Sequence, residues 1–354
     1  MLSIFWDAEY RAYPACRTYM VALRARWVRL SIAAALVAAE IALVAPHVHG
    51  GGNLSLHWGW VLAAVLCEVA SIATFTRFRR SLLRTGGMDV PLGKMGALTL
   101  ASSAINVTVP AGTAVSTAYL YRQLRRAGGS ATLVAWTLAT AAVVSGLAFT
   151  VLAMAGTVLS GGSSLEDIAG AGGLSLVAVL GLIALLSVLT RHPEPILRAL
   201  RAACRRLPIR RGAGCTDATG ESAVDRTAAQ LAAIVPRWRD WLLAFWFAML
   251  NWIWDLACFV MCCYAVGVNQ LGVGVAVLAY VAGLATSTLS LLPAGLGNVD
   301  AGLLAGLTHA GVAAPLAAGG ILTYRLVAYA LVAAAGWVVW AALRRRTQPA
   351  DART

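Results

Sequence analysis

The sequence predicts an all-α integral membrane protein built as an inverted repeat. Each half is expected to hold three spans plus one re-entrant hairpin, giving six full spans and two hairpins. Three observations lead there. Apolar residues make up 60% of the chain and charged residues 12%, a composition typical of polytopic membrane proteins rather than soluble domains. A Gly/Pro-interrupted apolar segment occurs twice, and basic residues are confined to particular stretches of the chain, as the positive-inside rule expects of cytoplasmic loops.

The elements follow in chain order. Residues 1–27 carry several arginines ahead of the first long apolar run, which begins near Val28. They show no cleavable signal pattern, so this piece is expected as a cytoplasmic N-terminal segment and the run as a retained anchor. Runs of spanning length lie near 28–46, 58–76, 131–159, 172–190, 241–265 and 312–343, several long enough to tilt or protrude. The first membrane repeat covers 28–190 and the second 241–343, with 172–190 as the equivalent of the second repeat's first span. Between them, 191–240 reads as a cytoplasmic linker with Gly212, Gly214 and Gly220 at its centre and a surface helix around 222–235; 344–354 is a cytoplasmic tail.

Two shorter apolar pieces, about 93–109 and 275–292, each end at a Pro-Ala-Gly, at Pro110-Ala111-Gly112 and Pro293-Ala294-Gly295. Each continues into a second short piece, 113–127 and 296–310. At one constant offset of 183 residues, Ala118, Leu120, Leu124, Ala127-Gly128, Ala131 and Leu133 match Ala301, Leu303, Leu307, Ala310-Gly311, Ala314 and Leu316. After one deletion, Leu100-Ala101-Ser102-Ser103 resembles Leu284-Ala285-Thr286-Ser287. Each pair of pieces is either a broken helix or a hairpin. Arg77, Arg79, Arg80 and Arg84 precede the first pair and Arg122, Arg125 and Arg126 follow it, so both ends belong on one side and the segment must enter and return.

Carrying that reading through both copies inverts the second half, because each half has an odd number of spans. Of 28 Lys and Arg residues, 27 then fall inside: 5 in 1–29, 5 in 77–94, 3 in 122–126, 10 in 191–239 and 4 in 344–353. The outside stretches 47–57, 160–171, 266–274 and 294–311 contain none. The net charge of +13 is therefore topology, with attraction to anionic headgroups, and nucleic-acid binding is not expected.

Charges inside spans are few, and burying one without a partner is costly. Glu68 and Asp255 sit near the middle of their spans and precede their repeat prolines by 42 and 38 residues, which makes them rough pseudo-equivalents. Arg325 lies within the last span and needs a carboxylate or a phosphate; its planar donors suit two phosphate oxygens at once. A ligand-binding role and a structural pair with Asp300 or Asp255 both stay open for it. The helix that starts after each Pro-Ala-Gly would point unpaired N–H groups toward the membrane interior, and Gly112, Gly295 and Gly297 would let a ligand or backbone approach.

Polar groups near the tips are Asn106, Thr108, Ser116 and Thr117 in the first copy and Ser290, Asn298 and Asp300 in the second. They either meet a ligand or satisfy the interrupted backbone. The candidate substrate-binding set is Arg325, Asp300, Asn298, Gly295, Gly297 and Pro293 with Asn106, Pro110 and Gly112, and Glu68 and Asp255 serve as charge partners or coupling groups.

No catalytic residue, metal or cofactor is expected. Neither a nucleophile–base pair nor a His/Asp metal cluster falls at helix spacing, and no P-loop pattern occurs. His47, His49 and His57 read as loop residues. The seven cysteines include no CxxC pair, and Cys258, Cys262 and Cys263 read as small apolar core residues. Glu40, near an outer helix end, reads as an interfacial residue.

At Asn106-Val107-Thr108-Val109-Pro110-Ala111-Gly112, at Leu292-Pro293-Ala294-Gly295-Leu296-Gly297-Asn298-Val299-Asp300, and at Ala310-Gly311-Val312 and Tyr324-Arg325-Leu326, the chain resembles the membrane domain of the lysylphosphatidylglycerol synthase/flippase family, over roughly 28–343. This prokaryotic group includes the flippase half of the multiple peptide resistance factor. Its members usually carry Glu where Asp300 stands, a change that keeps the charge and shortens its reach by one methylene. The resemblance implies lipid translocation rather than lipid synthesis, since the factor's aminoacyl-transferase domain has no counterpart here. The expected function is flippase-like movement of an anionic phospholipid or lipid-linked glycan precursor between leaflets of a prokaryotic cytoplasmic membrane, with both termini cytoplasmic and a homo-oligomer compatible. An ion-coupled carrier of a small soluble anion, and a non-transporting partner of envelope lipid or glycan enzymes, are the alternatives.

Overall fold

A computed structural model describes residues 56–109, 111–161, 236–268, 271–286 and 297–347, together with Gln230, Ile234 and Gly295. The predicted spans 28–46 and 172–190, the surface helix around 222–235 apart from Gln230 and Ile234, Glu40, Pro110, Ser290 and Pro293 lie outside these residues. What is described is helical: α1 (Trp58–Thr85), α2 (Leu92–Thr108), α3 (Gly112–Arg126), α4 (Ala131–Leu159), α5 (Trp238–Ala265), α6 (Val273–Ala285), α7 (Asn298–His309) and α8 (Ala314–Tyr324). A π-helical segment, Arg325–Leu331, then leads into α9 (Val332–Thr347). Four of these helices are long and apolar enough to cross a membrane: α1, α4, α5 and the continuous run Ala314–Arg344. The protein is therefore a multi-pass membrane protein.

The expected 58–76 span is longer than its apolar run. Helix α1 continues to Thr85, so Arg77, Arg79, Arg80 and Arg84 stand on its last turns instead of in a loop. Arg80 is tied down there by its Nη2 at 2.9 Å from Asp89 and its Nε at 2.7 Å from the Val90 carbonyl.

The duplicated Ala-Gly pairs are helix stops. In the first copy Gly128 N–H donates to the Arg125 carbonyl and Gly129 N–H to that of Leu124; in the second Gly311 N–H donates to Thr308 and Val312 N–H to Leu307. Both are Schellman caps, which need a left-handed residue just past the helix end, and the glycines supply it with φ of 99° and 85°. The repeated leucines likewise share one role, since Leu120, Leu124, Leu303 and Leu307 are all buried.

Small residues set the close packing. A Cβ on Gly302 would fall 2.9 Å from Gly283 Cα, and one on Gly306 would fall 2.6 Å from Ala279 Cα. Helices α6 and α7 therefore lie antiparallel with their backbones nearly touching, an arrangement that suits membrane helices with little hydrophobic force between them. Helix α2 packs on α3, α4 on α6, and α9 on α2. Gly156 against Val277 with Gly274 against Leu159 makes the α4–α6 pair antiparallel. Exchanging the halves, α1 for α5, α2 for α6, α3 for α7 and α4 for α8–α9, leaves the list of packed pairs nearly unchanged.

Helices α1 and α5 form the central antiparallel pair. His57 N–H donates to the Ala265 carbonyl at 2.8 Å, and Ser71 Oγ donates to Asn251 Oδ1 at 3.2 Å. The cysteines Cys258, Cys262 and Cys263 are buried in the core between α5 and its neighbours, as small apolar residues are.

Candidate functional site

The charged residues inside the helices converge in depth. With a rise of about 1.5 Å per residue, Glu68 lies about 15 Å from the start of α1, Asp255 about 15 Å from the end of α5, and Arg325 about 17 Å from the start of α8. Asn298 lies about 17 Å from the end of α7 by the same measure. All four reference ends are at one end of the bundle, because the α1 start bonds the α5 end and Gly320 packs on Cys263. That depth is half the thickness of a hydrocarbon core of about 30 Å.

Arg325 opens the π segment and is nearly fully buried, its side chain 1% exposed. Its Nε lies 2.7 Å from Asp300 Oδ1, and Asp300 is 13% exposed. The other carboxylate oxygen, Oδ2, accepts from the Gly297 N–H at 3.0 Å. One aspartate thus caps the first turn of α7 and neutralises the guanidinium. A carboxylate at a helix N-terminus is favoured by the orphan N–H groups there. The guanidinium also stacks 4.4 Å from the centroid of the Tyr329 ring, a cation–π contact that a lysine would reproduce poorly. Gly297 permits this turn with φ of 83°, a conformation that a side chain would strain. Asn298, next along, is exposed, whereas Gly295 is buried with φ of 68°.

Asp255, the other carboxylate considered for Arg325, is occupied elsewhere. Tyr280 donates its hydroxyl to Asp255 Oδ2 at 2.5 Å, and Tyr324 donates to Oδ1 at 3.1 Å. The Phe259 ring packs on both tyrosines, at centroid distances of 6.0 and 5.4 Å. Glu68 is 7% exposed and close enough to Asp255 for their charges to interact. The two rough pseudo-equivalents thus meet across the α1–α5 pair.

Sequence reasoning missed Tyr280, Tyr324 and Tyr329 as site residues. Their signal was a phenol in the middle of an apolar run, where its hydroxyl must find a partner. The π segment was missed as well. Such widened turns are rare and often mark functional sites; here the helix changes type between Tyr324, which faces Asp255, and Arg325, which faces Asp300.

The first tip is built differently. Ala111 takes a left-handed conformation, φ 54° and ψ 35°, the one non-glycine residue with positive φ among those described. Beside it, a Cβ on Gly112 would sit 1.9 Å from the Asn106 carbonyl oxygen, so only glycine fits. Asn106 is exposed. Thr108, Ser116 and Thr117 return their hydroxyls to carbonyls of their own helices, at 2.6, 3.1 and 2.6 Å, and so satisfy local backbone.

One protein family, described as the lysylphosphatidylglycerol synthase TM region, matches residues 21–336. No curated protein matches the chain.

Proposed function

Because the chain belongs to the lysylphosphatidylglycerol synthase TM region family, a membrane family and not a catalytic domain, we propose that it moves an anionic phospholipid, or a phosphate-bearing lipid-linked glycan precursor, between leaflets. The observation that carries this reading is the Asp300–Arg325 pair, 2.7 Å apart and held to the Gly297 N–H, about 17 Å along the helix from the start of α8. A headgroup phosphate would take the place of the Asp300 carboxylate on the guanidinium, since both offer two oxygens to planar donors. The α7 N-terminus adds positive potential beside it. Asn298, exposed at the start of α7, Gly295 and Gly297 would border the headgroup, with acyl chains left in lipid.

The reading takes the architecture as an inverted repeat with a re-entrant hairpin in each half, α2–α3 and α6–α7. Supporting it are the exchangeable packing pattern, the antiparallel α1–α5 pair and arms of 17, 15, 13 and 12 residues. Among the described residues, none of those arms reaches the roughly 20 residues that a full span needs. Pro110, Gly112 and Asn106 at the first tip would form the opposing half-site, loaded from the other face. The basic ends of α1, α3 and α9 belong at the cytoplasmic face.

Purified protein in liposomes, assayed with a headgroup-labelled anionic phospholipid or polyprenyl-phosphate sugar and an impermeant quencher, should exchange label faster than empty vesicles. If no anionic lipid exchanges and a small soluble anion is instead accumulated under a proton gradient, the lipid reading fails.

A further inference from the structure

We propose that Glu68, Asp255, Tyr280 and Tyr324 form a proton-binding site separate from the Asp300–Arg325 site, and that its loading is coupled to Arg325 through the α-to-π junction at residues 324 and 325. The coupling half rests on the transport reading above; the proton site itself does not.

The geometry sets the two sites apart. Two cross-helix hydrogen bonds, His57 to Ala265 and Ser71 to Asn251, fix the α1–α5 register, and that register places Glu68 opposite Asp255. Both oxygens of Asp255 are satisfied by tyrosine hydroxyls. Glu68 is treated otherwise: its Oε2 is buried and has no hydrogen-bond partner among the described residues. A buried acceptor left unmet is costly.

Among the described residues, the titratable groups around this pair are Cys67 on α1, Cys258 and Cys262 on α5, Tyr280 on α6 and Tyr324 on α8, with Tyr329 on the π segment beside the two tyrosines. Helix α4 contributes no titratable side chain, and Arg325 pairs with Asp300. Two carboxylate charges that no cation among the described residues faces are strongly unfavourable in so buried a place. A metal does not answer the need, since no group of three His, Cys, Asp or Glu among the described residues is placed to hold one. One proton shared by the pair supplies what is missing, because it removes a charge and turns a carboxylate oxygen into a donor.

Loading forms one O–H bond on a carboxylate oxygen with a proton from hydronium, leaving water; unloading returns that proton to water. A protonated pair holds the Tyr324 hydroxyl more weakly than a charged one does, because hydrogen bonds to ionised acceptors are about twice as strong as neutral ones. Tyr324 and Arg325 are consecutive, so a shift of Tyr324 moves the backbone that sets Arg325 against Asp300. Proton loading thereby frees the guanidinium for a headgroup.

Infrared spectroscopy of the protein in nanodiscs reads the site without any substrate. A carboxylic-acid C=O band that titrates with pH should be present in the wild type and absent in Glu68→Gln; the same band persisting in Glu68→Gln overturns the proton site. Should that variant not fold, Tyr324→Phe keeps both carboxyls and must move the titration midpoint, and an unmoved midpoint overturns it equally. In liposomes, coupling of one proton per lipid lets a one-unit pH gradient shift the label distribution by up to about tenfold in the wild type, and not at all in Glu68→Gln. Lipid exchange that ignores the gradient overturns the coupling and leaves the transport reading standing. A titrating Glu68 band with no exchange of any lipid overturns the transport reading and the coupling with it, and leaves the proton site standing.

Discussion

Removing the charge of Arg325 tests the Asp300–Arg325 pair most directly. Arg325→Met keeps much of the side chain's volume but leaves the Asp300 carboxylate, 13% exposed, without its cation. Breaking a buried pair by removing one partner costs about 3–5 kcal/mol, whereas replacing both partners with apolar groups is often neutral or stabilising. The double variant Arg325→Met/Asp300→Leu should therefore recover most of the stability that either single change loses, for a coupling of about 2–4 kcal/mol. Part of the loss stays unrecovered, because Asp300 also accepts from the Gly297 N–H and its loss removes a helix cap worth about 1 kcal/mol. Thermal unfolding in detergent gives the four corners of the cycle, and the liposome exchange assay runs on the same samples. The double variant should be stable and inactive. A double variant no more stable than the worse single one would refute the pairing as the main stabilising contact, and one that still exchanges lipid would refute its role in headgroup binding. Arg325→Lys should fold yet exchange lipid slowly, since an ammonium loses both the planar two-oxygen contact and the stacking on Tyr329.

Gly306→Val should separate α6 from α7, because its Cβ would start 2.6 Å from Ala279 Cα; overpacking of this kind costs about 1–3 kcal/mol or more, and a lower unfolding temperature with unchanged helical circular dichroism would show it. At the first tip Gly112→Ala should destabilise through its 1.9 Å clash with the Asn106 carbonyl. Its neighbour Ala111→Gly should be neutral or stabilising by up to about 1 kcal/mol, since it relieves a left-handed alanine; the opposite order in unfolding temperature would contradict the tip geometry. Single cysteines at Arg126 and His309, matched positions of the two copies and both exposed, should react with an impermeant maleimide from opposite faces in a background without other cysteines. Labelling from the same face would end the inverted-repeat reading.

Much of this architecture follows from sequence because it depends on near neighbours. Apolar runs of spanning length, the break beside the first Pro-Ala-Gly and the Ala-Gly stops after α3 and α7 are set by hydropathy and by hydrogen bonds closing within five residues. The need of a deep arginine for an acid was equally legible, because a lone charge at that depth is too costly to persist. Which acid answered it was not. Asp300 rather than Asp255 reaches Arg325, 25 residues along the chain, because Asp255 is drawn off by two tyrosines, one 25 and one 69 residues away. Glu68 meets Asp255 because contacts such as Ser71 to Asn251, 180 residues apart, fix how α1 slides against α5. The widened turn at Arg325–Leu331 and the left-handed Ala111 carry no local signal either: alanine normally avoids that conformation and nothing in the 325–331 segment forbids an ordinary α-helix. Helix existence is written in periodicity and local bonding, whereas the register between helices is chosen only when distant surfaces pack, and that register decides which buried charges share a partner.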